Sequence, residues 1–492
     1  MSLNITKLQT TIPEYVFRTA DILNENGYQA YLAGGAVRDL LIGKNPKDFD
    51  IATNALPDEI QKIFPKTVNT NAHFGTILVI MTDEHGESFD IEVTTYRKEE
   101  DYIGGRWPSH VEFTSEINDD LSRRDFTINA MALNLQLVWD TTAILEEIII
   151  DPFKGQNDLR EKTIRAVGDP LARLTEDGLR GFRACRLASE LEFKIELATF
   201  RAITETISIA KLISIERIRD EFLKLLRHSP KPSYGIELLR ESGLLAIFLP
   251  ELLLGIGITQ PEWHTDDVYQ HSLKTLDVSE DSIKLAGLLH DIGKSVTMSQ
   301  DEKGTHFFGH DIKGAAMVSE ILNRLRLPKL EVKRVATLVR WHMFYYPSAD
   351  WRKSFAFPEK FAEADSLPKN GGWSDAAIRR FINNIGGEDL IDDLFKLRIA
   401  DAAANQKSEF NTEELTALEA RIGQVRAEDM ALKITDLKIN GIDLINIGIP
   451  EGPMIGKVLR ELLEIILDEP RLNQFSELKP LAEKIFKTFS DN

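Results

Sequence analysis

Two aspartates separated by one residue follow a glycine-rich turn in the first tenth of the 492-residue sequence. Asp48 and Asp50 flank Phe49 in an extended run, so the two-residue period of a strand directs both carboxylates to one face. Neighbouring carboxylates raise each other's pKa unless a cation lies between them, and Mg²⁺ favours one or two carboxylates together with substrate phosphates. The spacing therefore predicts a Mg²⁺ site at these two residues.

The residues just before the aspartates are suited to binding a polyphosphate. Gly34 and Gly35 end a short apolar strand and expose backbone N–H groups at the start of a helix, where an anion is stabilised. Arg38 lies one turn into that helix and can direct its guanidinium to the same place. The stretch predicts a site for Mg²⁺ and a polyphosphate, but a hairpin with an acidic, solvated tip would show the same short pattern.

The elements that must position this site are two strands and a polar connection. Residues 73–81 and 87–96 have the composition of extended segments and are joined by a turn at Asp83–Gly86, which predicts two neighbouring strands. Glu92 on the second strand either brings a third carboxylate to the metal or is an exposed strand residue. Residues 97–116 are polar and contain Gly-Gly and proline, which predicts a mobile loop.

Two further pairs of charged residues have spacings that suit nucleotide recognition. Arg124 and Asp125 begin a helix, where they could hold a triphosphate and a ribose hydroxyl or form a surface salt bridge. Asp177 and Arg180 are three residues apart in a helical pattern, so we expect them side by side on one helix face. An acceptor beside a donor can pair with the Watson–Crick edge of a nucleobase, although an ordinary salt bridge has the same spacing.

The second half of the sequence is helical and contains a set of histidines with acidic partners. An adjacent histidine–aspartate pair on a helix, met by further histidines and an aspartate, supplies nitrogen and oxygen ligands for a metal that activates water for phosphoester hydrolysis. His306 is expected to be a bystander. The predicted ligands are His271, His290, Asp291, His310, His342 and Asp401.

Composition limits the class of protein. The length indicates several domains, and no apolar run reaches the roughly 20 residues that span a bilayer. The first residues lack the apolar segment of a secretory signal, and the single cysteine, Cys185, is expected to be a buried structural thiol. We therefore expect a cytoplasmic protein. The net charge of −19 argues against nonspecific nucleic-acid binding, but basic residues are dense between Arg160 and Arg227.

The order of these motifs resembles that of the class II, or bacterial-type, tRNA nucleotidyltransferases, which include CCA-adding enzymes and poly(A) polymerases. The resemblance extends from about residue 15 to the end, and its middle part resembles an HD phosphohydrolase domain. The motifs that carry it are GGAVRDLL, DFDIAT, FDIEVTTYR, the loop with Arg106, RRDFTINAMA, DPFKGQNDL and EDGLRGFR.

The resemblance implies an α+β fold. A nucleotidyltransferase head of the polymerase-beta-like type, with a small mixed sheet, would be followed by all-helical neck, HD and tail domains. The implied boundaries are 1–150 for the head, 151–229 for the neck, 230–410 for the HD domain and 411–492 for the tail.

The resemblance also implies roles for individual residues. Asp48, Asp50 and Glu92 would be catalytic, with Mg²⁺ on the two aspartates, and the HD domain would hold a divalent metal of unspecified identity. The loop near Arg106 would help the enzyme to switch from C to A. The residues implied in nucleotide binding are Gly34, Gly35, Arg38, Arg124, Asp125, Asp177, Arg180 and Arg183.

The implied activity is template-independent addition of C and A to tRNA 3′ ends from CTP and ATP, with release of pyrophosphate. The implied partners are tRNA, CTP and ATP, with no membrane and no obligate protein partner. Alternatives remain open at this point: an A-adding enzyme, a poly(A) polymerase, or an HD phosphohydrolase that uses the head as an RNA-binding scaffold.

Overall fold

The computed structural model has α+β architecture, with a mixed sheet near the N-terminus followed by helices, as expected. Contacts between residues divide the chain into two compact units, Met1–Pro250 and Glu251–Asn492. The structure describes residues 5–83, 85–103, 107–140, 145–260, 266–302, 304–344, 373–386, 388–405, 412–427 and 433–490.

The strands of the first unit, in the described part of the chain, form a mixed sheet and smaller pairs. The sheet has the order β3-β4-β5-β2-β1-β8-β9, in which β2 and β5 are parallel and the other pairs are antiparallel. The strands are β1 (Ala30–Ala33), β2 (Asp50–Thr53), β3 (Thr67–Asn71), β4 (Thr76–Thr82), β5 (Ser88–Thr95), β6 (Arg97–Ile103), β7 (Trp107–Phe113), β8 (Ala132–Asn134), β9 (Ile149–Ile150), β10 (Thr163–Ile164) and β11 (Lys194–Ile195).

The helices of the first unit cover the sheet and continue beyond it. Apolar side chains alternate along β4, where Ile77, Val79 and Met81 are buried, so the sheet presents one face to the core. The helices are α1 (Ile5–Thr11), α2 (Glu14–Glu25), α3 (Gly35–Leu41), α4 (Pro57–Ile63), α5 (Ile117–Ser122), α6 (Leu145–Ile148), α7 (Gly155–Arg160), α8 (Pro170–Glu176), α9 (Leu179–Leu191), α10 (Leu197–Glu205), α11 (Ile207–Ala210), α12 (Ile215–His228), α13 (Pro232–Glu241) and α14 (Leu245–Phe248).

Residues 97–116 differ from the sequence-based expectation. The loop prediction was wrong, because β6 and β7 pair as an antiparallel ribbon with Arg97 opposite Phe113. Two polar segments can pair through their backbones, and such a ribbon lacks the apolar alternation that identifies a half-buried strand. Arg106 lies outside the described residues.

The second unit is mainly helical in the part that the structure describes. A small antiparallel pair consists of β12 (Ser299–Asp301) and β13 (Gly304–His306). After α15 (Pro250–Leu253), which lies at the boundary between the units, the helices are α16 (Val268–Val278), α17 (Lys284–Leu289), α18 (Lys294–Thr297), α19 (His310–Arg324), α20 (Lys329–Trp341), α21 (Asp375–Ile385), α22 (Glu388–Ala404), α23 (Thr412–Ala427), α24 (Gly441–Asn446), α25 (Pro453–Asp468) and α26 (Phe475–Ser490).

Cys185 lies on α9 and is fully buried in the first unit, as the sequence predicted. Burial raises the pKa of its thiol to about 12, although Ser242 opposes the shift through a hydrogen bond. A thiol that stays protonated at neutral pH is a poor nucleophile, so Cys185 serves packing.

Candidate active site and a second candidate metal centre

A cavity of about 710 Å³ opens in the first unit beside β2 and β5. It brings together most of the charged residues that the sequence singled out from distant parts of the chain. Gly35 also lines it, whereas Asp48 and Gly34 lie outside its lining. The charged residues around it are Arg38, Asp50, Glu92, Arg97, Glu99, Arg123, Arg124, Asp125, Asp177, Arg180, Arg183, Arg186 and Arg217.

The carboxylates at the floor of this cavity come from two parallel strands. Asp50 begins β2 and lies opposite Glu92 on β5, so the two side chains are neighbours on one face of the sheet. Desolvation in the cleft raises the pKa of Asp50 to about 6, Glu92 and Asp48 add to the rise, and Arg124 opposes it. The raised pKa shows that this cluster favours an added cation.

Asp48 differs in part from the prediction. Strand β2 begins at Asp50, so Asp48 lies in the extended segment before it and is exposed. Its charge still acts on Asp50, which shows that the two carboxylates are close. Phe49 is buried, and Asp48 and Asp50 on either side of it lie on the opposite face. The predicted alternation of side chains is therefore present, although the strand is shorter than expected.

Gly34 makes room for an arginine at the phosphate-binding turn predicted from the sequence. Its φ of +84° with a ψ of −137° requires glycine, and a Cβ at this position would lie only 2.5 Å from Arg124 Nη1, so that guanidinium would have to move. Arg124 Nη2 lies 3.2 Å from Asp120 Oδ2, and Arg123 Nη2 lies 2.6 Å from Asp120 Oδ1. Burial opposes ionisation of Asp120, but the two arginines outweigh it and lower its pKa. The turn thus carries a fixed guanidinium.

Two hydrogen bonds and an ion pair join α3 to α9 across the cavity. Arg38 Nη1 donates to Asn129 Oδ1 at 2.8 Å, and Asn129 Nδ2 donates to Asp125 Oδ1 at 3.1 Å. Asp125 Oδ2 lies 2.8 Å from Arg183 Nη2. Burial opposes ionisation of Asp125, but Arg183 and the bond from Asn129 outweigh it and hold its pKa below the ordinary value. These residues are therefore held in fixed positions.

Asp177 and Arg180 line the same cavity, but they do not share a helix face. Asp177 follows the last residue of α8 with extended backbone angles, φ −139° and ψ 109°, whereas Arg180 lies in the first turn of α9. The i, i+3 prediction was wrong because Gly178 separates the two helices. The Arg180 guanidinium donates to Glu176 and to the backbone carbonyl oxygens of Arg173 and Arg123.

Imidazoles and a carboxylate meet in the second unit around Asp291. Its Oδ2 lies 3.2 Å from His290 Nε2 and 3.8 Å from His271 Nε2. Its Oδ1 lies 3.5 Å from His310 Nε2 and 3.6 Å from His342 Nε2. These atoms form two groups of three that share Asp291, and within each group the atoms lie within 4.8 Å of one another. All five side chains are buried.

The tautomers of three of these histidines suit metal binding. The Nδ1 atoms of His290, His310 and His342 each lie 2.6–2.8 Å from the backbone carbonyl oxygen three residues earlier. A carbonyl oxygen only accepts, so each Nδ1 carries the proton, and in the neutral ring Nε2 keeps its lone pair. These Nε2 atoms surround the carboxylate of Asp291, where a bound metal ion would accept their lone pairs in place of protons.

Asp401 completes the predicted set from α22. Its Oδ1 lies 2.9 Å from His271 Nε2 and 3.6 Å from His290 Nε2. Burial opposes protonation of His290, but Asp291 and Asp401 outweigh it and raise its pKa to about 10. The cluster thus favours an added positive charge, and its mixture of nitrogen and oxygen donors suits a divalent transition metal. All six residues predicted as ligands come together here.

His306 lies apart from this group, on β13. Its Nε2 is 2.8 Å from Asp301 Oδ1 on the paired strand, in a partly exposed position. A surface ion pair of this kind contributes little to stability. Its placement agrees with the expectation that it is a bystander.

Some residues that shape the first cavity were not singled out from the sequence. Asp120 could have been found, because it precedes Arg123 and Arg124 by three and four residues on a helical pattern. Asn129 lies within the quoted motif RRDFTINAMA but was given no role. Arg217 contacts Asp177, which is 40 residues away in the sequence. A contact between residues so far apart cannot be predicted from local spacing.

Family comparisons assign most of the described chain to known domains. Residues 30–165 match the poly A polymerase head domain, residues 192–254 match the probable RNA- and SrmB-binding site of polymerase A, and residues 264–406 match the HD domain. The chain therefore carries a poly A polymerase head, the RNA-binding region of such polymerases and an HD domain. This confirms the family resemblance read from the motifs.

Similar relatives of the chain include CCA-adding enzymes. The enzyme of Geobacillus sp. (strain WCH70) is 43% identical over 230 residues, which are 47% of this chain and 53% of the relative. That of Enterococcus faecalis (strain ATCC 700802 / V583) is 46% identical over 220 residues, 44% of this chain and 50% of the relative. The matched part of the chain thus spans about half the length of these relatives.

Solved structures share the fold over nearly the whole chain. The Bacillus stearothermophilus CCA-adding enzyme in complex with CTP has a TM-score of 0.62 at 24% identity, over 97% of this chain and 98% of that one. The Thermotoga maritima CCA-adding enzyme complexed with tRNA has a TM-score of 0.50 at 19% identity, over 98% of each chain. Among the helices that the structure describes, none has the length and apolar character to cross a membrane.

Proposed function

We propose that the first unit adds C and A nucleotides to tRNA 3′ ends without a nucleic-acid template, using CTP and ATP and releasing pyrophosphate. The observation that carries this proposal is one cavity lined by the Asp50–Glu92 carboxylates, by arginines and by the Asp177–Arg180 pair. The similarity to CCA-adding enzymes supports it. The carboxylates would bind the metal, the arginines would bind the phosphates, and the Asp177–Arg180 pair would bind the base of a nucleoside triphosphate.

Each part of the cavity has a distinct chemical task in this proposal. Asp48 and Asp50, with Glu92 beside them, would hold Mg²⁺, which when bound activates the attacking 3′-hydroxyl and stabilises the leaving pyrophosphate. Arg38 and Arg124 bind phosphate oxygens through charge-assisted hydrogen bonds. These arginines are already fixed by Asn129 and Asp120, so little side-chain entropy is lost when the triphosphate binds.

Base choice would come from the other side of the cavity. Cytosine and adenine both present an exocyclic amino group beside a ring nitrogen that accepts a hydrogen bond. The Asp177 carboxylate accepts from the amino group and the Arg180 guanidinium donates to the ring nitrogen. Uracil and guanine present a carbonyl oxygen to the carboxylate instead, and two acceptors repel each other.

The experiment that tests the proposal uses three tRNA transcripts, ending before CCA, after C and after CC, each incubated with single labelled nucleotides. We expect C on the first two transcripts, A only on the third, and no extension beyond CCA. Addition of A to the third transcript without any addition of C to the first two would identify an A-adding enzyme, and long A tails would identify a poly(A) polymerase. No incorporation with any transcript would overturn the proposal.

The raised pKa of Asp50 predicts how magnesium dependence changes with pH. The pKa of Asp50 is about 6, so its carboxyl is mostly protonated when the pH is lower than this value. The proton then competes with the metal for the same oxygen. We expect the half-saturating magnesium concentration for nucleotide addition to be about tenfold higher at pH 5 than at pH 7. Initial rates over a magnesium titration measure it, with circular dichroism at both pH values as the folding control. An unchanged half-saturation would contradict the prediction.

The Gly34→Ala variant tests the packing at the phosphate turn. The new Cβ would lie 2.5 Å from Arg124 Nη1, so the guanidinium must move and the KM for CTP should rise about tenfold or more. Gly27→Ala is the matched control, because φ is +87° there and a Cβ meets no atom within 4 Å. Alanine is strained by the positive φ in both variants, and at Gly34, where ψ is −137°, the strain should cost about 1–3 kcal/mol of stability. Equal KM values in the two variants would refute the packing argument.

A second candidate function belongs to the second unit. We propose a metal-dependent phosphohydrolase there, and the observation that favours it is the convergence of the four histidines and Asp291 with Asp401. Water bound to such a centre is acidified and can attack a phosphoester. A 2′,3′-cyclic phosphate at an RNA end is the substrate to assay, and the metal is identified by elemental analysis of the purified protein.

A further inference from the structure

An open groove lies between α19, which begins at His310, and α20, which ends just before His342. We propose that this groove binds a single-stranded segment of RNA and thereby presents the phosphate at the end of the strand to the candidate metal centre around Asp291. The inference rests on the phosphohydrolase proposed for the second unit and adds its substrate class, which is a polynucleotide end rather than a free nucleotide.

The groove has the size of a ligand cleft and a floor that a flat group can approach. Its volume is about 600 Å³, and ligand clefts commonly have about 300–1,000 Å³. Small side chains on both helices keep the floor low, so the ring of a base or a sugar has room above it. These small residues are Ala315, Ala316, Ser319, Ala336 and Thr337.

The charged side chains that line the groove are cationic. Lys329, Lys333 and Arg340 line it, and no carboxylate does so within the part of the chain that the structure describes. Lys329 and Lys333 are four residues apart on α20 and both are exposed, so they lie on one side of the helix and face solvent. The whole chain has a net charge of −19, so a groove lined by cations is a distinct place for an anionic ligand.

An arginine and a tryptophan lie at the end of the groove that leads to the metal centre. Arg340 forms an ion pair with Asp311, and its Cζ lies 4.9 Å from the centroid of the Trp341 ring. A guanidinium has five N–H donors, so the pair with Asp311 leaves capacity for phosphate oxygens. Trp341 is partly exposed, and bases of single-stranded RNA stack on aromatic rings and on guanidinium planes.

The groove adjoins the metal centre through both of its helices. Trp341 lines the groove and directly precedes His342, whose Nε2 is one of the proposed ligand atoms. A Cβ on Gly293 would overlap the carbonyl oxygen of His310, so α19 begins in direct contact with the turn that follows the central aspartate. A strand that lies along the groove therefore ends beside the proposed ligands.

An RNA strand matches this groove better than an acidic peptide does. Phosphates pair with the lysines, a base stacks on the indole, and the hydroxyl groups of Ser319 and Thr337 can exchange hydrogen bonds with ribose hydroxyls. An acidic peptide would use the charges alone. Because phosphates and bases before the reacting end supply this binding, a mononucleotide should be the poorer substrate.

The experiment compares two substrates of the full-length protein, adenosine 2′,3′-cyclic phosphate and a six-nucleotide single-stranded RNA that ends in the same group. In both, water forms a new P–O bond, and the ribose oxygen whose bond to phosphorus breaks takes up the proton that water gives up. We expect wild-type kcat/KM to be about tenfold or more higher for the oligonucleotide, mainly through KM.

The variant Lys329→Gln/Lys333→Gln tests the groove. We expect the KM for the oligonucleotide to rise about tenfold, its dependence on log salt to fall by about 0.7 for each lost phosphate contact, and hydrolysis of the mononucleotide to stay within about twofold of wild type. Lys479→Gln is the matched control, because it removes an exposed positive charge from α26, outside the groove. It should match wild type with both substrates.

Equal kcat/KM of wild type for the two substrates, or an unchanged oligonucleotide KM in the double variant, would overturn the inference. So would an acidic peptide of equal charge that inhibits as strongly as an unreactive oligonucleotide, since the groove would then select charge alone. Wild type that hydrolyses neither substrate would refute the phosphohydrolase. Photocrosslinking of a 4-thiouridine oligonucleotide then decides RNA binding by itself: a crosslink to the peptide that contains Trp341 supports it, and crosslinks confined to the first unit overturn it.

Discussion

Replacing Asp50 by asparagine is expected to reduce nucleotide addition at least about a thousandfold, which corresponds to about 4 kcal/mol of lost transition-state stabilisation. The change removes the charge of the carboxylate that lies opposite Glu92 on the cavity floor. An amide binds magnesium poorly, so both activation of the hydroxyl and stabilisation of pyrophosphate are weakened. Steady-state incorporation of labelled CTP into tRNA measures the loss.

The same substitution should not unfold the protein. The pKa of Asp50 is raised in the folded state, so above about pH 6 its ionised form favours unfolding and the neutral amide removes that penalty. We therefore expect an equal or slightly higher Tm. Asp90→Asn is the control, because Asp90 is an exposed carboxylate two residues before Glu92 on β5. Retained activity in Asp50→Asn, or an equal loss in Asp90→Asn, would contradict the assignment.

Replacing His342 by alanine is expected to abolish hydrolysis of a 2′,3′-cyclic phosphate, by at least about a hundredfold, and to lower the metal content of the protein. His342 Nε2 lies 3.6 Å from Asp291 Oδ1 and 3.4 Å from His310 Nε2, so the variant loses one of the three proposed ligands in that group. Loss of a metal ligand weakens binding strongly because few donors remain. Elemental analysis and a phosphate-release assay measure the two effects.

The Asp291→Asn variant tests the same candidate metal centre at the residue that both groups share. Asp291 is shared by both groups of ligands and lies 2.6 Å from Lys294 Nζ, so this variant should lose more metal than His342→Ala. It also removes the charge that pairs with the buried Lys294 and leaves Gln260 Oε1, at 2.7 Å from Nζ, as a neutral acceptor, so its folding must be checked. His306→Ala is the matched control. Nucleotide addition should stay within about twofold of wild type in all three, and unchanged hydrolysis in His342→Ala would refute the metal assignment.

Local patterns predicted the parts of the site that lie close together in sequence. The turn at Gly34 and the alternation around Phe49 are short-range features, and the structure places them beside β2 as expected. Glu92 was left open between two interpretations, because a strand residue's neighbour depends on sheet order. The parallel pairing of β2 with β5, which places Glu92 opposite Asp50, is not encoded in any local spacing.

Helix boundaries and long-range ion pairs were harder to predict. Asp177 and Arg180 have a helical spacing, but tight packing of Gly178 against Ala210 ends one helix and starts another between them. Arg217 approaches Asp177 only because α12 packs against α9, which tertiary structure alone determines. The four histidines were recognised because they lie in apolar helical segments or next to aspartates, in a chain that has only ten histidines.

The buried thiol of Cys185 makes the chain well suited to site-specific spectroscopy. It is the single cysteine of the sequence, has no accessible surface and stays protonated at neutral pH, so maleimide reagents should leave it unmodified. A cysteine introduced on an exposed helix would then carry a fluorophore or spin label alone, without a cysteine-free background being prepared first. Distances between such labels and a labelled RNA end could be followed during single turnovers.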